Sequence, residues 1–277
     1  MKHSRSRPQK PPYRGLDSKR KRAPRKPRAG KPEDHLWLWG THAVLAALNN
    51  PARQILQLYA SKNAARHVPA GHSAITANPQ DIAALLPEGA VHQGLALHTR
   101  PLVAPVLDSL LAQDNAVLVM LDGVTDPRNI GAILRSCAAF GAAGAIMQAR
   151  HMPPPGGVLA KAAAGALERV PLIGVTNLAR ALGVLADAGW FSIGLAGQSA
   201  APITAALRHA GKLCLVLGAE GRGLRPNVAR HCDMLARIPI APDMESLNVA
   251  TAAAIALYEA GRGRDSKERS SSACAEG

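Results

Sequence analysis

From Val117 onward the chain alternates short apolar runs with helix-periodic stretches, and this pattern restricts the fold more than any other feature. Apolar runs rich in Val, Ile and Leu fall at 117–122, 143–148, 170–175, 191–196, 213–218 and 234–240. Amphipathic or Ala-rich stretches fall between them, at about 129–140, 158–168, 177–188, 203–209 and 225–231, with a last one at 248–261. Strands without polar alternation are buried on both faces, and strands separated by helices pair in parallel. The expectation is an α/β domain whose ligands sit beyond the carboxyl ends of the strands. That directs attention to the loops after Asp122, Gly218 and Ile240.

Upstream, residues 33–100 read as a smaller α/β unit. Leu36–Trp39 is a strand, and Thr41 is placed to cap a helix ending near Asn49. Ile55–Tyr59 is a strand, Asp81–Leu86 a short helix and Gly94–Thr99 a closing strand. Trp37 and Trp39 are read as packed rather than base-stacking. Residues 101–114 contain Pro101 and Pro105 and serve as a linker with a short helix at 106–112.

Charge separates the first 32 residues from the rest. They hold 13 Lys/Arg against one Asp, whereas the remaining 245 hold 20 Lys/Arg and 18 Asp/Glu. With Pro8, Pro11, Pro12, Pro24 and Pro27 interrupting it, this segment cannot form an amphipathic targeting helix or bury enough surface to order itself. It reads as a disordered basic tail, an electrostatic tether for nucleic acid. Residues 263–277 are expected to be disordered as well. No apolar run is long enough for a bilayer and no secretory h-region occurs, so the protein is expected in the cytoplasm without a membrane partner. Cys137, Cys214, Cys232 and Cys274 form no CxxC or Cys/His set; reduced thiols and no metal are expected.

Three loops carry groups with chemistry. In the first, Asp126-Pro-Arg-Asn-Ile-Gly-Ala-Ile-Leu-Arg135, Asn129 is suited to cap the helix. Arg135 lies off the buried stripe of Ile130, Leu134 and Cys137, with Gly131 one turn earlier leaving it uncovered. A guanidinium there can grip a phosphate, although a surface Arg on an amphipathic helix is the plainer reading. The second loop, Leu217-Gly-Ala-Glu-Gly-Arg-Gly-Leu224, places Glu220 among three glycines. Its spacing matches neither a dinucleotide nor an NTP-cradling loop. In the third, Ile238-Pro-Ile through Ser246-Leu-Asn-Val249, Ser246 or Asn248 caps the last helix. His151 reads as a solvated loop histidine, and Asp122 and Asp126 as turn residues.

Order, spacing and identity of these three stretches resemble the motifs of the SpoU/TrmH family, RNA ribose 2′-O-methyltransferases of the SPOUT class, over roughly residues 115–262. Trp39-Gly-Thr-His-Ala-Val44, Val91-His-Gln-Gly-Leu95, and Lys161 to Leu172 are similar to the subgroup that acts on a guanosine of 23S ribosomal RNA. The N-terminal domain of that subgroup resembles ribosomal protein L30e. The Ser or Cys usual before Gly165 is Ala164 here. The resemblance implies an α/β fold with a C-terminal trefoil knot, a homodimer, and S-adenosylmethionine held by backbone groups at Gly218, Ile238 and Leu247 with neighbours Leu217, Gly221 and Ile240. It further implies that Arg135 binds the target phosphate and assists deprotonation of the hydroxyl. Asn129 would orient the ribose or Arg135, Glu220 would hold one of them, and Ser246 and Asn248 would shape the pocket. Transfer RNA ribose methylation, adenosine methylation conferring resistance, and a non-catalytic assembly role for an RNA-binding protein are the competing readings.

Overall fold

A computed structural model describes residues 35–207 and 211–275, with side chains described to Arg262. The basic tail lies outside the described residues. The N-terminal part runs β1 (Leu36–Trp39), α1 (Thr41–Leu48), β2 (Ile55–Ala60), β3 (Ile75–Thr76), α2 (Pro79–Ala84) and β4 (Leu95–Thr99). These strands form a sheet ordered β1-β4-β2-β3, with β4 antiparallel to both neighbours. Leu38, Leu58, Leu95 and Leu97 turn one face toward α1, while Trp39, Ala96, Ile82 and Leu86 close part of the other. Trp39 is buried, and half-buried Trp37 stacks on His98 at 4.7 Å, so both tryptophans pack within the protein. Loss of hydration and the neighbouring His35 hold the His98 imidazole below its ordinary value. Thr41 is not the cap of α1: Gly40 occupies that position at φ 88°, without a side-chain cap bond.

After α3 (Asp108–Leu111) come β5 (Val117–Asp122), α4 (Pro127–Ala139), β6 (Gly144–Gln148), α5 (Gly157–Ala163), β7 (Leu172–Val175) and α6 (Leu178–Asp187). They are followed by β8 (Phe191–Leu195), α7 (Ile203–Ala206), β9 (Leu213–Gly218), α8 (Pro226–Ala229), β10 (Met234–Ala236) and α9 (Val249–Ala275). All six strands are parallel, ordered β10-β8-β9-β5-β6-β7. Val117, Val119, Leu121, Leu215 and Leu217 point to the layer of α4 and α9; Leu118, Met120, Cys214 and Val216 point to that of α6. A core on both faces explains why these strands show no polar alternation. Burial pushes the Cys137 and Cys232 thiols up to about 12, leaving them protonated. Among the described residues, no helix is long and apolar enough to cross a membrane.

Three boundaries and one strand depart from the sequence reading. The helix expected over 158–168 stops at Ala163, because Ala164 and Gly165 take left-handed conformations before a 3-10 turn at Ala166–Glu168. The turn brings Gly165 against Ala46 and the His42 carbonyl of α1, where a Cβ would collide. β10 ends at Ala236 rather than 240, since Arg237 exchanges backbone bonds with Ala201 and Ile203 and Pro239 has no donor. The strand β3 was not expected; it is two residues long and lacks a legible pattern. Finally, α9 runs to Ala275, through the stretch expected to be disordered; no proline interrupts residues 249–275.

The two sheets are joined by more than a linker. Arg53 and Glu168, with side chains 2% and 5% exposed, form a bidentate pair with contacts of 2.5 and 3.2 Å. Asn50 donates to the same carboxylate at 2.8 Å, and Arg53 also donates to the Arg100 carbonyl at 2.9 Å. Gly156 and Gly157 fit closely against Leu36, Trp37 and Trp39.

Candidate active site

The loop leaving β9 is shaped by its glycines. Gly221 and Gly223 have φ of 75° and 64°, and Gly223 donates to the Ala219 carbonyl at 2.9 Å. The chain doubles back so tightly that a Cβ on Gly218 would run into the backbone of Gly223 and Leu224. Gly218 is therefore required by the chain's own close approach. The turn lifts Glu220 toward α4 and α9.

Glu220 joins the three segments singled out in the sequence. Its Oε1 accepts from Asn248 Nδ2 at 2.6 Å, from the Val249 amide at 3.3 Å and from Asn129 Nδ2 at 3.4 Å. Asn248 Nδ2 also donates to Asn129 Oδ1 at 3.1 Å. Asn248 Oδ1 caps α9 by accepting from the Ala250 and Thr251 amides at 2.9 and 3.3 Å. Asn129 does not cap α4. Asp126 does, accepting from the Arg128 amide at 2.9 Å, with Pro127 in the first helical position. Asn129 in the first turn is thereby free to face the other two loops.

Arg135 is the outlying member. It lies six residues along α4 from Asn129, about 9 Å of helix rise. It is exposed, and its side chain makes no hydrogen bond or ion pair among the described residues. Glu220 is thus bonded to Asn129 and Asn248 but not to Arg135. Gly131 does not serve to uncover this guanidinium; it lets α4 sit directly on Ala162 and Ala163 of α5.

Beside the Glu220 cluster lies a cleft of about 480 Å³. Leu217, Gly218, Gly221, Ile238, Ile240 and Leu247 line it, together with Glu220 and Ser246. Sequence reasoning missed its far wall, residues 195–198, and Glu245. Because β8 is parallel and adjacent to β9, its carboxyl end had to open at the same edge; the rule used for the other loops would have found it. Asp122 was also misread. It is a fully buried carboxylate, accepting from Arg225 Nε at 2.6 Å and from the Arg225 amide at 2.8 Å. Its partner is 103 residues away, beyond the reach of local pattern.

Comparison with known proteins gives the family. The profile of the SpoU rRNA Methylase family matches residues 116–258. The 23S rRNA (guanosine-2'-O-)-methyltransferase RlmB of Vibrio vulnificus is 37% identical over 82% of this chain and 97% of its own length. The protein of the same name from Vibrio cholerae is 42% identical over 64% of this chain and 73% of its own. The crystal structure of an AdoMet-bound rRNA methyltransferase from Sinorhizobium meliloti superposes with a TM-score of 0.69 at 25% identity, covering 83% of this chain and 87% of that one. With a family profile spanning the whole six-stranded domain and a relative matched almost end to end, this chain belongs to the SpoU rRNA Methylase family.

Proposed function

We propose that this protein methylates a ribose 2′-hydroxyl of RNA with S-adenosylmethionine, and that the ribose belongs to a guanosine of 23S ribosomal RNA. The Glu220 cluster carries the reading: side chains from three distant segments meet at the rim of a ligand-sized cleft. The relatives that match both parts of the chain supply the substrate class.

The cleft suits the cofactor chemically. Leu195, Leu217, Ile238, Ile240 and Leu247 give apolar walls for an adenosyl group, and Glu220 and Glu245 place negative charge where a sulfonium would be favoured. Backbone groups of Gly218, Ile238 and Leu247, with Leu217, Gly221 and Ile240 around them, would hold it. When bound, it supplies a methyl group on a positively charged sulfur, already electrophilic.

The protein's task is to position the hydroxyl and ease the departure of its proton. Asn248 is used up within the cluster, whereas Asn129 keeps one amide N–H free and Ser246 keeps its hydroxyl. Those two groups are available to the ribose. Glu220 acts as a positioning residue for Asn129. Arg135, whose side chain has no partner among the described residues, binds the adjoining phosphate. A guanidinium has no acceptor for a proton, so it favours the developing alkoxide by its charge, and the hydroxyl proton leaves to solvent. In-line placement supplies the rest of the acceleration.

An Ala-rich α9 with exposed Tyr258, in contact with exposed Phe140 of α4 at 6.0 Å, supports pairing of two copies across this face. Unreactive reduced thiols and a ribosomal RNA substrate fit a cytoplasmic site of action. Transfer of a labelled methyl group to a 23S transcript tests the reading. Arg135→Ala should lower the rate about 100-fold or more, with cofactor affinity by calorimetry unchanged. Full methylation by that variant would remove Arg135 from the chemistry; methylation of transfer RNA alone would reassign the substrate.

A further inference from the structure

A second cleft opens at the same edge of the sheet, past the ends of β6 and β7. Its volume is about 380 Å³, and Gln148, Arg150, Thr176, Asn177, Arg225 and Asn227 line it. Hydrogen bonding within the protein has consumed the acceptors of Asp122, Gln148 and Asn177 and left most of the cleft's donors. Asp122 beneath Arg225 is sealed from solvent, and both of its oxygens are occupied by Arg225. Gln148 Oε1 accepts from Arg225 Nη2 at 3.1 Å and Arg150 Nη2 at 3.4 Å, and its amide donates to the Thr176 carbonyl at 3.2 Å. Asn177 Oδ1 is taken by the Arg180 amide at 3.2 Å. Left without partners among the described residues are Arg225 Nη1, most of the Arg150 guanidinium, the side-chain NH2 groups of Asn177 and Asn227, and the Thr176 hydroxyl. No free carboxylate lines the cleft. The Asp122–Arg225 clamp fixes one guanidinium, and Arg225 remains 44% exposed. A preorganised array of donors with no competing anion is matched to a phosphate group.

We propose that this cleft is a phosphate subsite for the RNA strand flanking the methylated nucleotide. The ligand's identity rests on the methyltransferase reading. The location follows from the sheet: Asp122 pairs in register with Gly218, so the Arg225 clamp and the cofactor cleft lie on adjoining strands. An RNA strand entering at Asn129 continues along the carboxyl edge of the sheet over Arg150 and Arg225. Neither arginine touches the reacting atoms; both fix the strand.

Arg150→Gln tests this, because Arg150 is exposed and its removal loses only one long hydrogen bond. Binding of the 23S transcript by fluorescence anisotropy, from 50 to 300 mM salt, should show a log–log slope flatter by about 0.7 to 1, and affinity about 3- to 10-fold weaker near 0.1 M salt. Arg150→Lys should restore most of the slope, since the charge returns without the fork. KM for RNA should rise in Arg150→Gln while kcat and cofactor affinity hold. Unchanged slope and KM in Arg150→Gln, with wild-type methylation intact, overturns the subsite alone. Wild-type protein that binds the transcript with the predicted Arg150 dependence yet transfers no methyl group overturns the functional reading and leaves the subsite standing.

Discussion

Gly218→Ala adds one carbon where the returning backbone of Gly223 already lies, so the 218–224 turn has to open. The expected cost is about 1–3 kcal/mol of stability, as for overpacking elsewhere. Because the turn carries Glu220 and lines the cofactor cleft, cofactor affinity measured by calorimetry should drop as well; a variant with wild-type melting and affinity would show that the turn has slack. Residues of this kind were half legible from the chain. The glycines marked a tight turn, and Glu220, Asn129 and Asn248 were drawn together by family spacing rather than by any periodicity. Local pattern also misassigned caps: Asn129 and Asp126 are both good capping residues three positions apart, and only the position of Pro127 in the first turn distinguishes them. Asp122 looked like a turn residue because nothing near it in sequence discloses Arg225.

At the scale of elements, buried apolar runs and their helical partners were readable because every strand of the six-stranded sheet is covered on both faces. What could not be read were interruptions imposed by another element. α5 ends where α1 arrives, and Ala164 accepts a left-handed conformation, at roughly 1–2 kcal/mol, to let Gly165 meet Ala46. Nothing in Lys161 to Leu172 taken alone demands that break. The 3-10 turn that follows presents Glu168 to Arg53 in the loop before β2, and this pair ties together the two sheet-bearing parts. Glu168→Ala should destabilise the fold by about 3–5 kcal/mol, since it strands a buried guanidinium, and chemical denaturation would read the loss. Replacing both partners together by Leu and Met should restore most of it. A double variant as unstable as the single one would show that the pair matters for its shape and not its charge.

For the whole molecule, composition separated a neutral folded body from a cationic segment of 32 residues without settling what either recognises. Deleting residues 1–32, which carry 13 Lys/Arg and one Asp, should weaken RNA binding and flatten its salt dependence by several units of slope. Cofactor affinity and the melting temperature should stay at wild-type values, as thermal scans with and without S-adenosylmethionine would show. Equal RNA affinity with and without the segment would assign recognition to the folded body alone. That body has its own geometry to offer. The buried bond between Arg53 and Glu168, and the glycines wedged against Trp37 and Trp39, brace the four-stranded part against the six-stranded part. We propose that, with the N-terminal part as the RNA-recognising one, such a body works as a fixed caliper: an RNA would qualify when the distance between its recognised element and its reactive sugar equals the gauge of the instrument.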